Sequence, residues 1–378
     1  MYFIKYIIET FLRFLPFPRK TGLIIIGSPG RNSPVFLTCN FDLTVEMVKR
    51  EIRGLDAYLL VANSRGINVW CGAAGGLFTN HDVISVLKTS GIENMLEHRN
   101  IILPQLSAVG IQPDIIYQKT GWRAVFGPVY AKDILEYLNS GNKKTESMRK
   151  VRFSFFDRLE VAVLWAFPMS VISAVILALL WQKMVVPTVS IAWAVSLIVF
   201  LSFPLYSKYI NPKRERKGFV IFDFGRGGIK IIFWIFIMLC ILLYSLLFSK
   251  FELGLYLRWG IVSLIVVFII SIDLAGSTPV YKSGLHKENL LNVVLDKKRC
   301  RGTGLCEDVC PRNCFEIDRK NHIAKIPRID LCEQCGACIV QCPSDALRFK
   351  ILDGRIISPE TIRKYKLNLI GKRIVNIK

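Results

Sequence analysis

The chain has 378 residues, of which 52% are hydrophobic and 21% are charged, and its formal net charge at pH 7 is +21. A basic chain can bind nucleic acid, but no stacking motif or recognition helix accompanies the charge, so no nucleic-acid partner is expected. Apolar residues are concentrated in the middle of the chain, and eight of the 11 cysteines lie between Cys300 and Cys342.

Residues 1–18 predict an amphipathic helix at the membrane interface. Lys5, Glu9 and Arg13 are four apart and therefore share one helical face, while most of the remaining residues are Tyr, Phe, Ile and Leu. Such a helix lies in the interface with its apolar face in lipid. Charges interrupt the apolar run and no small-residue cleavage site follows, which disfavours a signal peptide.

Residues 19–142 predict one α/β domain, because short β-rich runs alternate with helical patterns. The predicted strands are Leu23–Gly27, Val35–Cys39, Ala57–Ala62, Ile101–Leu103, Asp114–Tyr117 and Ala124–Phe126, and the predicted helices are Thr44–Ile52 and Ala131–Leu138. This alternation predicts a largely parallel sheet.

Cys71 is the most conspicuous residue of this domain, since residues with little or no side chain follow it, Gly72 to Gly76. We interpret the preceding run as a strand that ends at Cys71. The lack of bulk after it allows a large flat ligand or a phosphate to approach the backbone. Two alternatives stay open: a tight turn with a buried apolar cysteine, and a nucleotide-binding loop, for which the G-x-G-x-x-G order is missing.

The segment from Asn68 to Gly76 resembles the cap-helix signature of corrinoid-binding domains. These are the domains of the mercury-methylation corrinoid protein and of its relative, the corrinoid iron–sulfur protein of acetyl-CoA synthesis. Further similar segments are Gly27–Val35, Leu37–Asn40, His98–Arg99, Leu103–Leu106, Gly121–Arg123 and Phe126–Val129. The resemblance extends over residues 21 to 140 and implies a corrinoid-binding α/β domain.

The resemblance also implies that Cys71 is the lower axial ligand of cobalt. The cofactor-binding residues implied in this way are Asn68, Val69, Trp70, Cys71, Gly72, Ala73, Ala74, Gly75 and Gly76. The usual histidine alternative is not found, because none of the four histidines lies in a D-x-H-x-x-G context. Gly75 stands where the mercury-methylation signature has a lysine, so a charge contact to the corrinoid is expected to be lost.

A basic linker, residues 143–158, precedes a predicted region of four transmembrane helices, residues 159–275. The predicted spans are Val161–Trp181, Val185–Tyr206, Ile229–Phe248 and Leu255–Ile272, each about long enough to cross a bilayer. Basic residues are concentrated before the first span and between the second and third. The positive-inside rule therefore predicts a multi-pass protein of the cell membrane with both soluble domains in the cytoplasm.

After a linker, residues 276–296, the segment 297–349 predicts an α+β two-cluster ferredoxin domain, followed by a basic tail, residues 350–378. Cysteine spacing carries this prediction, because Cys332-x2-Cys335-x2-Cys338-x3-Cys342-Pro343 is a complete iron–sulfur run. Crossover of the two runs assigns Cys310, Cys332, Cys335 and Cys338 to one [4Fe-4S] cluster, and Cys300, Cys306 and Cys342 to the other. A zinc site does not explain the paired Cys-Pro endings.

The second of these clusters lacks one thiolate, since Thr303 stands at the vacant ligand position. A hydroxyl binds iron more weakly than a thiolate does, so this cluster is predicted to be either [4Fe-4S] with a solvent-bound corner or [3Fe-4S]. Cys314 has two alternatives: an extra ligand that reaches this corner, or a free thiol packed beside a cluster. The pattern resembles that of seven-iron and site-differentiated ferredoxins.

Together these features predict a membrane-anchored, corrinoid-dependent methyltransferase with a fused ferredoxin that reduces its cobalt. The expected partners are membrane lipid, a methylated pterin carrier or its methyltransferase, and a reductant that feeds the ferredoxin. The resemblance implies mercury(II) or another electrophile as the methyl acceptor. The alternative is a membrane-bound iron–sulfur electron-transfer protein with a non-catalytic N-terminal binding module.

Overall fold

The computed structural model describes residues 2–13, 15–210, 229–248, 252–277, 291–351 and 353–365. These form two compact units. The helical unit contains the N-terminal helix and the chain from Arg152 to residue 290. The mixed unit combines residues 15–151 with the chain from Leu291 onward.

The mixed unit begins with a five-stranded sheet of order β1-β3-β2-β4-β5. Its strands are β1 (Gly22–Ile26), β2 (Val35–Cys39), β3 (Ala57–Ala62), β4 (Asn100–Leu103) and β5 (Arg123–Phe126). Strand β1 is antiparallel to β3 and the other three pairs are parallel, so the prediction of a largely parallel sheet is confirmed. Every residue of the central strands β2 and β3 is buried, as is usual for parallel strands covered on both faces.

The helices of this domain are Asp42–Glu51, Val69–Ala74, Asn80–Thr89, Pro113–Thr120, Ile134–Asn139 and Glu146–Arg149, with 3₁₀ turns at Ile92–Asn94, Gln105–Val109 and Ala131–Asp133. The predicted strand Asp114–Tyr117 is wrong, because these residues lie inside a helix. Pro113 occupies the first helical turn and Gly121 ends the helix in the left-handed conformation, with φ of 73°. These end signals outweigh the β propensity of the two isoleucines between them.

The predicted strand that ends at Cys71 is also wrong. Strand β3 already ends at Ala62, and Cys71 lies in the short helix Val69–Ala74. Asn68 caps the start of this helix, since its side chain accepts a hydrogen bond from the Cys71 amide at 2.9 Å. We call Val69–Ala74 the Cys71 helix.

The helices of the helical unit are Tyr2–Phe11, Phe155–Leu180, Val185–Leu201, Phe203–Ile210, Ile229–Phe248 and Leu253–Ser277. The helices Phe155–Leu180 and Val185–Leu201 are joined by a 3₁₀ turn, Gln182–Met184. The second span ends at Leu201, before the predicted Tyr206, and a new helix starts at Phe203. Pro204 explains the break, because it has no amide hydrogen to continue the helical bonding.

Two helices among the described residues are long and apolar enough to cross a membrane, Phe155–Leu180 and Gln182–Leu201 when the turn is included. Length and composition alone also fit the core helix of a soluble protein. Two further apolar helices fall short of this test over residues 233–247 and 256–267. A four-helix membrane region therefore stays a prediction.

The N-terminal helix packs on the helix Phe155–Leu180 through its charged side. Tyr6 and Arg13 both donate hydrogen bonds to the Glu160 carboxylate, and Phe11 meets Phe167 edge to face with ring centroids 5.2 Å apart. Glu9 is only 4% exposed. Part of the predicted polar face is thus used inside the helical unit, because Glu160 offers a partner that the N-terminal sequence alone does not reveal.

The C-terminal domain is an α+β fold within the mixed unit. Its strands are β6 (Leu291–Leu295), β7 (Glu316–Asp318), β8 (Ile323–Lys325), β9 (Leu347–Ile351) and β10 (Ile356–Ile357), and its helices are Leu305–Asp308, Ala337–Val340 and Pro359–Tyr365. Strands form the order β10-β9-β6 and a separate hairpin β7-β8. The predicted bounds 297–349 are too narrow, because β6 and β10 both pair with β9 and Ile362 lies in the core.

Candidate functional site

The Cys71 helix is positioned by strand β3 and by the loop that follows it, which hydrogen bonds to Asn40 hold in place. Asn40, directly after β2, accepts hydrogen bonds from the amides of Ser64 and Gly66 at 2.8 and 3.0 Å. Asn40 is 4% exposed and Ser64 is fully buried, so this network fixes the loop between β3 and the helix. Asn40 belongs to the segment Leu37–Asn40 that resembles corrinoid-binding domains, and the sequence alone indicates no role for it.

The nine residues predicted to bind the corrinoid divide into two groups. Asn68, Trp70, Cys71, Gly75 and Gly76 are partly exposed, whereas Val69, Gly72, Ala73 and Ala74 are buried. Cys71 and Gly75 are four residues apart, so they lie on the same side of the turn. The partly exposed group is the part of the motif that a ligand reaches.

The buried group packs inside the domain. A Cβ atom on Gly72 would lie 3.2 Å from the Phe78 Cβ atom, and one on Gly110 would lie 2.8 Å from the Ala73 carbonyl oxygen and 2.9 Å from that of Phe78. The segment after the 3₁₀ turn Gln105–Val109 therefore approaches the Cys71 helix so closely that only glycine fits at position 110. Close packing inside the domain accounts for the small residues of the buried group.

The first cluster site consists of four cysteines that line one cavity. Cys310, Cys332, Cys335 and Cys338 line this cavity together with Cys314, and the first four are the set that the crossover of the two runs predicts. Backbone amides donate to two of the sulfurs, from Gln334 to Cys332 Sγ at 3.4 Å and from Cys314 to Cys310 Sγ at 3.3 Å. The donor set fits a cubane iron–sulfur cluster.

The second cluster site is predicted to contain Cys300, Cys306 and Cys342, and the charges of Cys342 and Cys300 raise the pKa of the Cys306 thiol. Backbone amides of Ala324 and Ala346 donate to the sulfurs of Cys300 and Cys342, each at 3.3 Å. Thr303 is exposed. These residues fit a cluster that has three thiolate ligands and one corner open to solvent.

Burial keeps several of these thiols protonated when no positive charge is near. Burial raises the pKa of Cys306 to about 12, an effect that the charges of Cys342 and Cys300 reinforce. Burial likewise raises the pKa of Cys335 and of Cys338. Bound iron reverses this balance, because a metal ion deprotonates the thiol that coordinates it. The site is therefore suited to thiolates only when a cluster is present.

Cys314 lies with the ligands of the first cluster site. Its side chain makes hydrogen bonds with Cys310 and Cys332, which raises the pKa of Cys314 and keeps its proton in place. The same bond from Cys314 lowers the pKa of Cys310 to about 7. Cys314 therefore lies on the wall of the first cluster site, which favours the alternative of a free thiol packed beside a cluster.

The ligand helix Ala337–Val340, which carries Cys338 and ends just before Cys342, is held at its C-terminal end. Arg363 donates to the carbonyl oxygens of Val340 and Cys342 at 3.3 and 2.9 Å. This contact comes from the helix Pro359–Tyr365, which lies in the part of the chain predicted to be a basic tail. Cluster ligation is thus supported by residues outside both cysteine runs.

Comparison with known proteins agrees with both parts of the mixed unit. Residues 13–138 match the family model of the CO dehydrogenase/acetyl-CoA synthase delta subunit (CdhD), and residues 299–346 match that of a 4Fe-4S dicluster domain. The chain carries a CdhD-type domain and a dicluster ferredoxin domain. The predicted relation to the corrinoid iron–sulfur protein and the predicted ferredoxin are thereby confirmed.

Known relatives match about 30% of this chain. The gamma subunit of the acetyl-CoA decarbonylase/synthase complex of Archaeoglobus fulgidus is 36% identical over 116 residues, which is 30% of this chain and 24% of the relative. The corrinoid/iron-sulfur protein large subunit of Moorella thermoacetica is 32% identical over 114 residues, again 30% of this chain and 25% of the relative. The chain thus spans about a quarter of the length of these relatives.

Proposed function

We propose that this chain is a membrane-anchored, corrinoid-dependent methyl-transfer protein whose ferredoxin domain reduces the cobalt centre. The carrying observation is that a CdhD-type domain and a dicluster ferredoxin domain pack into one compact unit of a single chain. The similar Moorella protein is named for a corrinoid and an iron–sulfur centre. Fusion of both domains supplies the reductant at high effective concentration.

In this proposal Cys71 is the lower ligand of the cofactor. The bound corrinoid supplies a cobalt that accepts a methyl group and passes it to an electrophile. The Cys71 sulfur is half-buried, and Asn68 fixes the helical turn from which it projects. With a corrinoid bound there, the Cys71 thiolate would donate electron density to its cobalt, and this would favour transfer of a methyl group to an electrophile.

The two cluster sites form the reducing half of the proposed protein. Low-potential clusters restore a cobalt that has lost one electron, and a separate one-electron reductant restores the clusters. Thr303 leaves the second cluster with one solvent-exposed corner, so we propose that it is either a [4Fe-4S] cluster with a solvent ligand there or a [3Fe-4S] cluster.

Membrane anchoring is supported by apolar surface on the helix Phe155–Leu180. Only 17% of the most apolar 18-residue stretch of this helix is buried, and Leu179 and Leu180 are 83% and 78% exposed. A core helix of a soluble protein would be mostly buried, so lipid is the proposed partner of this surface. The proposed location is the cell membrane, with both soluble domains on the cytoplasmic side.

Methyl donor and acceptor follow from the resemblance to corrinoid methyl-transfer proteins. A methylated pterin carrier, or its methyltransferase, is the proposed donor, and mercury(II) or another electrophile is the proposed acceptor. Gly75 removes the positive charge that the mercury-methylation signature places on the same side of the turn as the cysteine. An acceptor other than mercury is consistent with this difference.

A second candidate function is electron transfer at the membrane with a non-catalytic N-terminal module. Burial of Gly72, Ala73 and Ala74 favours it, because these residues are then small for the sake of internal packing. The two functions differ in whether the mixed unit takes up a corrinoid.

Anaerobic reconstitution of the full chain with cobalamin tests the proposal. We expect the wild type to show cobalt absorption and EPR features of a thiolate-ligated corrinoid, and Cys71→Ala to lose them. Cys240→Ala is the matched control, since Cys240 is an exposed cysteine of the helical unit. Unchanged cobalt spectra in Cys71→Ala would refute the ligand assignment. Iron–sulfur absorption without any corrinoid uptake by the wild type would favour the second function.

A further inference from the structure

Gln341 joins the two domains of the mixed unit at the point where the clusters are ligated. Its side-chain nitrogen Nε2 donates hydrogen bonds to the carbonyl oxygens of Ala108 and Ile111, each at 2.7 Å. Both amide protons are thereby used. Gln341 is 8% exposed and both acceptor residues are fully buried, so water does not compete for these bonds.

Gln341 lies between ligands of the two cluster sites. Cys338 precedes it on the ligand helix and belongs to the first site, whereas Cys342 follows it directly and belongs to the second. On the opposite side of these bonds, the segment Ala108–Ile111 contains Gly110, whose backbone lies against the Ala73 carbonyl of the Cys71 helix. The two hydrogen bonds of Gln341 and one close backbone contact therefore connect the cysteine ligands of the clusters with the helix that carries Cys71.

Charged and backbone contacts surround this bond and restrict the same domain interface. Lys144, with its side chain 3% exposed, lies 3.0 Å from Asp308 Oδ2, and the Arg149 guanidinium is 3.9 Å from Glu307. A backbone hydrogen bond joins the Val151 amide to the Pro311 carbonyl at 2.9 Å. Glu307 and Pro311 directly follow the ligands Cys306 and Cys310. The ferredoxin domain is thus docked by the segments that hold its clusters.

We propose that Gln341 is a positioning residue that holds the clusters at a fixed separation and orientation from the group bound at Cys71. This inference rests on the proposed function and adds a specific docking geometry to it. In this transfer one electron passes from a reduced cluster to the cobalt, so the cluster is oxidised by one electron and the cobalt is reduced by one electron. No bond forms and no proton moves, and a low-potential one-electron donor restores the cluster. Loss of the two hydrogen bonds loosens the docking and slows this transfer.

Gln341→Glu tests the proposal in the full chain with both clusters reconstituted. The substitution keeps the size of the side chain, removes both N–H donors and places carboxylate oxygens against two carbonyl oxygens. Gln118→Glu is the matched control, because Gln118 is exposed on the helix Pro113–Thr120. Gln341→Leu is the uncharged version, and it decides the outcome if Gln341→Glu loses cluster EPR signals.

The first measurement is amide hydrogen exchange without cobalamin. The amides of Gly110 and Ile111 both bond to the Ser107 carbonyl in the wild type, at 2.9 and 3.0 Å. We expect them to exchange at least about tenfold faster in the Gln341 variants and at the wild-type rate in Gln118→Glu. The second measurement is the single-turnover rate of cobalt reduction by the clusters after cobalamin loading, expected to fall at least about tenfold.

Each outcome decides the proposal. Unchanged exchange overturns the docking role of Gln341, whether or not the protein binds a corrinoid. Faster exchange with an unchanged reduction rate shows that Gln341 acts only on stability and overturns the positioning role. If the wild type takes up no cobalamin, the proposed function fails and the positioning role with it, while exchange still reports whether Gln341 fastens the domains.

Discussion

Hydrogen bonding to sulfur distinguishes Cys314 from the cysteines that ligate iron. Its thiol makes hydrogen bonds with Cys310 and Cys332, and its own amide donates to Cys310 Sγ. Hydrogen bonds to ligand sulfurs stabilise the reduced, more negative form of a cluster and so raise its reduction potential. Ligation by the four cysteines of this site is therefore compatible with a non-ligand thiol that adjusts the potential.

Cys314→Ala should leave the iron content per chain unchanged and lower the reduction potential of the cluster at Cys310, because one S–H donor to its ligand sulfurs is lost. Iron analysis and a redox titration followed by EPR measure both quantities. Cys310→Ala provides the comparison for loss of a ligand, and it should reduce the iron content. A loss of iron in Cys314→Ala would show that Cys314 ligates the cluster.

At the scale of elements, the sequence predicted strands where burial is continuous and failed where end signals decide the fold. Strands β2 and β3 were predicted with the bounds that the structure shows, because buried β-branched and apolar runs leave few alternatives. The run Asp114–Tyr117 also contains residues that favour strands, but Pro113 is a helix start signal and Gly121 is a helix end signal, so the run lies in a helix. Local composition alone does not separate these cases.

Cysteine spacing predicted the cluster ligands, whereas the supporting residues escaped it. Gln341 and Arg363 hold the ligand helix through carbonyl oxygens, which leave no mark in a sequence pattern. The sequence predicts Lys144 as part of the basic linker, residues 143–158. In the structure its side chain is buried where the CdhD-type domain meets the ferredoxin domain. The contacts of Gln341 and Lys144 join segments about 160 to 240 residues apart, and those of Arg363 span just over 20 residues, so no local pattern encodes them.

Lys144 makes the stability of this interface depend on pH. Burial lowers the pKa of its amine from 10.5 to about 8, although the nearby Asp308 charge opposes the shift. Between these values the unfolded chain binds a proton that the folded chain has released, so the free energy of unfolding rises with pH. The rise amounts to on the order of 3 kcal/mol across the window, at about 1.4 kcal/mol per pKa unit.

Lys144→Met should abolish this rise, because the apolar side chain fills the same space without a proton to lose. The substitution also removes the ion pair with Asp308 and the hydrogen bond to the Gln105 side chain, so the slope with pH, and not the stability at pH 7, is the diagnostic quantity. Thermal unfolding followed from pH 7 to 10.5 measures the effect, with the exposed Lys143→Met as control. Parallel curves for wild type and Lys144→Met would contradict the assignment.

At the scale of the whole molecule, the proposed electron transfer requires both soluble domains on one side of the membrane. The mixed unit satisfies this requirement directly, because residues 15–151 and the chain from Leu291 pack together. If the intervening chain crosses the membrane, it must therefore do so an even number of times. Two spans and four spans both meet this condition, so packing of the mixed unit does not distinguish them.

Glu252, which is exposed between the last two helices of the helical unit, distinguishes the two topologies. With four spans, a cysteine at this position faces the outside, as does one at Lys183 in the first helical connection. We therefore expect a membrane-impermeant maleimide to label both Lys183→Cys and Glu252→Cys in intact cells. Each substitution is made in a chain whose Cys240 has been replaced by alanine. Labelling of Lys183→Cys alone would establish two spans, and the remaining apolar helices would then lie on the cytoplasmic side. Labelling of neither would contradict membrane crossing, because the most exposed apolar helix, Phe155–Leu180, ends at this first connection.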